Sequence, residues 1–223
     1  MISALLPPEI AVEVARREDW TARLLPAEQA VMAGAVEKRL REFTAGRSCA
    51  RRVLTQLGWP DFPIVTGTSR EPVWPTGITG SITHCHGYCA AAAARTTEVL
   101  SLGIDAELLS SYPENVAAMI SSEAERRQAE SLLQSNWIGL VFSAKESTYK
   151  AWHPLTKCWL DHRDVELIFD MEHSTFTARI DLAPGDDAPF LSSLRGRFAV
   201  SGKRIFTAVV VPVETCGSPQ SPG

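Results

Sequence analysis

The chain has 223 residues, 45% of them hydrophobic and 22% charged, and its 26 acidic and 22 basic side chains leave a net charge of −4. A chain of this length buries roughly 70% of its unfolded surface, enough for one large domain or two small ones sharing a core, and this composition excludes wholesale disorder or a fibrous repeat. The acidic balance argues against a nucleic-acid binder, yet permits a local basic groove for a small polyphosphate.

In chain order, the first helix signal opens at Leu25-Pro26-Ala27-Glu28, with proline in the first turn and an acid at the positive end of the dipole, and is expected to reach about Phe43. A second helix is expected from Gly46 to Leu57, stopped by Gly58 with Pro60 beyond. Residues 59–80, rich in Pro and Gly, read as an ordered loop that carries something. Between Ser81 and Glu107 two strands are expected, joined by a turn at Arg95-Thr96-Thr97-Glu98, with the Ala90–Ala94 run letting a neighbour pack closely. Ser122-Glu123-Ala124-Glu125 fits a capping box and should start a helix running toward Gln134. A further helix, Trp137 to Trp152, should end at Pro154. Four period-two runs follow, Val165–Phe169, Thr175–Ile180, Leu194–Val200 and Ile205–Val211, the last two joined at Ser201-Gly202-Lys203. Residues 215–223 have nothing to pack and read as a frayed end. The class is α+β, with two helix-then-strand halves, 1–107 and 108–214, before that tail.

No apolar run approaches the ~20 residues of a membrane span, and MISALLPPEIAVEVARRED lacks a basic start followed by a long apolar stretch, so a soluble cytoplasmic chain is expected. Five cysteines, Cys49, Cys85, Cys89, Cys158 and Cys216, are odd in number and irregular in spacing, which suits reduced thiols better than a disulfide framework.

Four segments carry candidate chemistry. In Gly103-Ile104-Asp105-Ala106-Glu107, a strand would put both carboxylates on one face, where they repel unless a cation sits between them. All-oxygen ligands of this kind suit Mg²⁺, which substrate phosphates complete. In Phe142-Ser143-Ala144-Lys145-Glu146-Ser147-Thr148-Tyr149-Lys150, Glu146 and Lys150 share a helix face among apolar neighbours, which separates them from an ordinary surface ion pair. Gly80-Ser81-Ile82-Thr83-His84-Cys85-His86-Gly87 offers hydroxyls beside a histidine for phosphate oxygens and a glycine for close approach. Zinc competes there, but alternation puts His84 and His86 on one face and Cys85 and Cys89 on the other, so the four cannot converge. The fourth segment is basic: Arg47 and Arg51 lie four apart on the second helix, with Arg70 in the loop.

In this order and spacing, GSITHC, GIDAE and FSAKESTYK resemble the phosphopantetheinyl transferases of the surfactin-type superfamily. EFTAGRSCAR, REPVWPTG and YKAWHPLTKCWL are similar to the branch of enterobactin synthetase component D enzymes and mycobacterial carrier-protein activators, and the resemblance spans about residues 25–211. It implies a monomer of two similar α+β lobes with the active site in the cleft between them. Coenzyme A would bind there with Mg²⁺ or Mn²⁺, and its 4′-phosphopantetheine arm would pass to a serine of an apo acyl or peptidyl carrier protein, releasing adenosine 3′,5′-bisphosphate. Carried residue by residue, Asp105, Glu107 and Glu146 become the metal ligands. His84, helped by Ser81 or Thr83, contacts the coenzyme A phosphates, and Lys150 the pyrophosphate, with Lys145 beside it. Arg47, Arg51 and Arg70 fall where the family places basic residues for the 3′-phosphate end. Carrier docking is expected on residues 108–136, from Met119, Ile120, Arg126, Arg127, Leu132 and Leu133. Two other functions compete, a catalytically silent carrier binder and a Mg²⁺-dependent phosphoesterase. Retention of His84, Asp105, Glu107, Glu146 and Lys150 argues against the first.

Overall fold

The computed structural model describes residues 1–109, 112–133, 137–181 and 189–213. Among them, two antiparallel sheets carry the architecture. The first is three-stranded in the order β1-β3-β2, from β1 (Ala11–Val14), β2 (Ile78–Cys85) and β3 (Tyr88–Arg95). The second is five-stranded in the order β4-β8-β7-β6-β5, from β4 (Val99–Leu108), β5 (Val165–Asp170), β6 (Thr175–Ile180), β7 (Ser193–Ser201) and β8 (Arg204–Pro212). Five α-helices accompany them: α1 (Pro26–Val31), α2 (Glu37–Gln56), α3 (Glu114–Ile120), α4 (Glu123–Leu133) and α5 (Trp137–Thr156).

The turn at residues 96–98 hands the chain from one sheet to the other, so β4, with Asp105 and Glu107, is hydrogen-bonded to β8 of the second sheet. α5 packs on β4 and β8 around Trp137, Leu140, Val141, Ala144, Ala151 and Trp152. It can lie so close because Gly103 has no side chain: a Cβ there would meet the Ser147 carbonyl oxygen at 1.9 Å. α2 packs on β3, where the buried alanines Ala91 and Ala93 accept Cys49, Ala50, Val53 and Leu54.

The helix break falls elsewhere than expected. α1 stops at Val31, Gly34 takes a φ of +78°, and α2 runs unbroken through Phe43 and Gly46. Gly46 does not begin a helix; it thins one, its Cα side lying 3.0 Å (as a would-be Cβ) from Ile82 Cγ2. Strand β1 and helix α3 have no counterpart in the sequence reading, and α5 continues past Pro154 to Thr156. The expected capping box forms: Ser122 N donates to Glu125 Oε2 at 2.7 Å and Glu125 N to Ser122 Oγ at 3.1 Å. The terminal segment 215–223, with Cys216, lies outside the described residues.

Candidate active site

A cleft of about 890 Å³ runs between α2, β2 and the loop 66–74 on one side and β4 and α5 on the other. It lies within the range of sites for a drug-sized or larger cofactor. Arg47, Arg70, Ser81, Thr83, His84, Asp105, Glu107, Glu146 and Lys150 all line it.

At its centre is the Asp105 carboxylate, only 6% exposed. Oδ1 accepts from Lys150 Nζ at 2.6 Å and from Thr83 Oγ1 at 3.2 Å, and Oδ2 accepts from Ser143 Oγ at 2.8 Å. Three side chains, two from α5 and one from β2, converge on one acid. Lys150 also donates to the Ile104 carbonyl at 3.3 Å, so two of its three N–H donors are committed and one remains for the cleft. Burial depresses the Lys150 ammonium, but Asp105, Glu146 and Glu107 around it more than offset this and its pKa is raised. Glu107 is raised as well, which for an acid disfavours the charged form: burial, then Asp105 and Glu146, push its carboxyl above the usual range despite a hydrogen bond from Leu108 N at 2.8 Å.

Ser81 and Thr83 line the cleft and also have a structural job. Ser81 Oγ accepts from Ile104 N at 3.1 Å and Thr83 Oγ1 from Ala106 N at 2.9 Å. β2 and β4 belong to different sheets, so these two hydroxyls stitch the sheets together where backbone ladders do not. Alternation then turns His84 out of that seam toward α2. Arg39 Nη1 lies 3.2 Å from its Nε2, and Glu42 Oε2 lies 3.8 Å from its Nδ1. Burial lowers the His84 pKa, with Glu42 acting against the fall and Arg39 with it.

The basic residues divide. Arg47 stays in the cleft wall, stacked 4.1 Å over Phe43, with Nε donating to the Ile64 carbonyl at 2.6 Å and Nη2 to Thr66 Oγ1 at 3.2 Å. Desolvation brings its guanidinium down to about 10. Arg70 is exposed at the tip of the loop with a φ of +67°. Arg51 does not line the cleft; it pairs with the fully buried Glu28, whose other oxygen accepts from Ile64 N at 3.1 Å. Lys145 is also elsewhere: it is 3% exposed, 3.0 Å from Glu125 Oε2 and 2.7 Å from the His162 carbonyl oxygen. On the expected docking segment, Met119 is exposed and Ile120 buried, while Arg126 pairs with Glu114 and Arg127 with Glu123. The side chains of Leu132 and Leu133 lie outside the described residues.

Arg39, Glu42, Phe43, Trp74, Phe142, Tyr149 and His153 line the cleft too, and the sequence reading did not assign them to it. Periodicity pointed to some: Arg39 and Phe43 precede Arg47 by two helical turns and one.

Among the described residues, no group of three His, Cys, Asp or Glu side chains is arranged to hold a metal ion. The chemistry of the donor set does suit a hard divalent cation: Asp105, Glu107 and Glu146 bring carboxylate oxygens to one cleft, where burial and then the two neighbouring acids raise the Glu107 carboxyl.

Two family models match the chain, the 4′-phosphopantetheinyl transferase N-terminal domain over residues 27–94 and the 4′-phosphopantetheinyl transferase superfamily over residues 101–201. The chain belongs to that superfamily. It is 43% identical over 220 residues to 4′-phosphopantetheinyl transferase Svp of Streptomyces mobaraensis, covering 95% of this chain and 89% of that protein. It is 38% identical over 222 residues to 4′-phosphopantetheinyl transferase PptT of Mycobacterium tuberculosis, covering 95% and 98%. Over 118 residues it is 38% identical to enterobactin synthase component D of Salmonella typhi, covering 51% of this chain and 48% of that protein. The chain is thus a transferase of 4′-phosphopantetheine, and the boundary between the two matched regions falls between β3 and β4, where the sheets change. Among the described residues no helix is long and apolar enough to cross a membrane.

Proposed function

We propose that the cleft binds coenzyme A and that the enzyme, a cytoplasmic monomer of two α+β lobes meeting along β2 and β4, transfers the 4′-phosphopantetheine arm to a serine of an apo acyl or peptidyl carrier protein. The observation that carries this is the meeting of His84 from β2, Asp105 and Glu107 from β4, and Glu146 and Lys150 from α5 in one cleft.

Asp105, Glu107 and Glu146 would hold Mg²⁺ or Mn²⁺. Bound there, the ion supplies charge neutralisation on the pyrophosphate oxygens. The remaining work belongs to the chain. His84 and Arg39 face the phosphates, and Arg47 and Arg70 serve the 3′-phosphate end. The serine Oγ forms a bond to the pantetheine phosphorus as the bond to the departing bisphosphate breaks. Glu146, directly or through a water, takes the serine proton, and Lys150 uses its free donor to offset charge on the leaving oxygen. The acidic helix of the carrier docks against Met119, Arg126 and Arg127.

Incubating enzyme, coenzyme A, Mg²⁺ and an apo carrier should add the mass of one phosphopantetheine to the carrier. Coenzyme A cleavage without a carrier would indicate a phosphoesterase, and carrier binding without a mass gain would indicate a silent binder; either result defeats the proposal.

A further inference from the structure

Glu42 has no part in the scheme above, yet it lines the same cleft, half-hidden in the α2 wall. Its position is specific. Oε2 lies 3.8 Å from Nδ1 of His84, while Arg39 Nη1, one turn earlier on α2, lies 3.2 Å from Nε2. A guanidinium is always a donor, so Nε2 must accept, and the neutral ring therefore carries its proton on Nδ1, the nitrogen facing Glu42. The imidazole is held between an anion and a cation that both come from one helix, and that helix is also the one that holds Arg47 over Phe43.

We infer that Glu42 is a positioning residue for phosphate recognition: it fixes the tautomer and tilt of His84 and serves as counterion when the ring takes up a proton against the coenzyme A pyrophosphate. This rests on the reading of the cleft as a coenzyme A site. The charged groups facing His84 are Glu42 and Arg39 from α2, Asp105 from β4 and Lys150 from α5. The two cations oppose protonation and the two acids favour it. Asp105 is already neutralised at 2.6 Å by Lys150, whereas Glu42's other neighbour, Lys38, is highly exposed and 4.0 Å away. Glu42 is therefore the acid with charge to spare. An arriving dianion that engages Arg39 would release Nε2 as a donor and leave Nδ1–H aimed at Glu42, the arrangement in which a carboxylate supports an imidazolium.

Three variants separate the parts of this claim. Glu42→Gln keeps an acceptor and removes the charge, Glu42→Ala removes both, and Arg39→Met removes the opposing cation. The readout is ¹⁵N and ¹H NMR of the His84 ring in the full-length enzyme, free and with coenzyme A but no carrier, alongside steady-state kinetics. In the free enzyme Glu42→Gln should retain the Nδ1–H tautomer and lower the His84 midpoint by about one pH unit, as expected for one unit charge near 4 Å in a partly hydrated site. Glu42→Ala should mix the tautomers, and Arg39→Met should move the midpoint up. KM for coenzyme A should rise about tenfold at pH 8 in Glu42→Gln and less at pH 6, with kcat within twofold. An unmoved His84 midpoint and tautomer in Glu42→Ala, in a parent enzyme that does modify the carrier, overturns the inference alone. A parent that modifies no carrier overturns the function and leaves the ring measurement to judge Glu42 as a purely structural partner of His84.

Discussion

Lys145 and Lys150 sit five residues apart in one motif, and replacing Lys145 with methionine tests whether the structure has sorted them correctly. The Lys145 ammonium is essentially sealed: its side chain is 2% exposed and that of Glu125 is 0%. Glu125 does two further things, accepting from Ser122 N to cap α4, at 2.7 Å, and from Leu167 N on β5, at 2.9 Å. Lys145→Met would leave that carboxylate charged and buried. Breaking such a pair from one side costs about 3–5 kcal/mol, a large share of the 5–15 kcal/mol that holds a domain folded. Adding Glu125→Gln removes the stranded charge while keeping an oxygen for both backbone donors, so the double variant should recover at least half of the loss. Urea unfolding followed by fluorescence measures all four corners of the cycle. KM for coenzyme A, taken at a temperature where the single variant is folded, should stay within twofold. A variant as stable as the parent, with a tenfold higher KM, would return Lys145 to the list of phosphate contacts and refute the reasoning.

Asp105→Asn, Glu107→Gln and Glu146→Gln should each reduce turnover at least a hundredfold, and excess EDTA should abolish it in the parent; full activity in EDTA would remove the metal from the scheme. Glu107→Gln should also raise the melting temperature on the alkaline side of the raised Glu107 midpoint, because a carboxyl whose pKa is raised by folding loses stability as pH climbs from the unfolded value through the folded one. An unchanged or lower melting temperature would show that the burial is not felt. Arg51→Ala should destabilise by several kcal/mol, since it strands the buried Glu28, and leave the preference for coenzyme A over its 3′-dephospho form unchanged; a lost preference would put Arg51 back in the cleft. Gly103→Ala should prevent α5 from docking on β4 and yield little folded protein, whereas normal yield and activity would mean the close approach is relaxed in solution.

How legible all this was in the sequence varies with the kind of signal. The capping box at Ser122 and the period-two runs after residue 160 depend on local backbone chemistry, and they appear where expected. The break near residue 34 was missed because Gly34 supplies it by a left-handed turn, with no proline to mark it, while Gly46 looked like a boundary and is instead a packing contact. Strand β1 escaped notice because four residues, Ala-Val-Glu-Val, show too little periodicity; its evidence is the partner strand, Ala90 to Ala93. In the site, residue types were legible and faces were not. Five residues along a helix turn it by about 140°, so one of Lys145 and Lys150 had to leave the cleft, but only packing against β4 decides which. The pairing of Arg51 with Glu28 depends on a contact across 23 positions that no spacing rule can supply.

The hydroxyls of β2 tie the joint between the two sheets to the geometry of the site. Thr83 is 1% exposed, and its Oγ1 is engaged twice, accepting from Ala106 N at 2.9 Å and donating to Asp105 at 3.2 Å. A residue so placed joins the two sheets and orients the central acid with the same atom. Thr83→Val keeps the shape and removes both bonds. The orphaned Ala106 N–H alone should cost about 1–3 kcal/mol, and Asp105, left with Ser143 and Lys150, should lose its fixed tilt. Stability and kcat should therefore fall together, and Thr83→Ser, which keeps the oxygen, should restore both. A side chain whose role was to touch coenzyme A would behave differently: Thr83→Val would raise KM at unchanged stability. Chemical denaturation and initial-rate kinetics on the two variants distinguish these outcomes. An increase in KM with no loss of stability would mean that the seam between the sheets is held by something other than this hydroxyl.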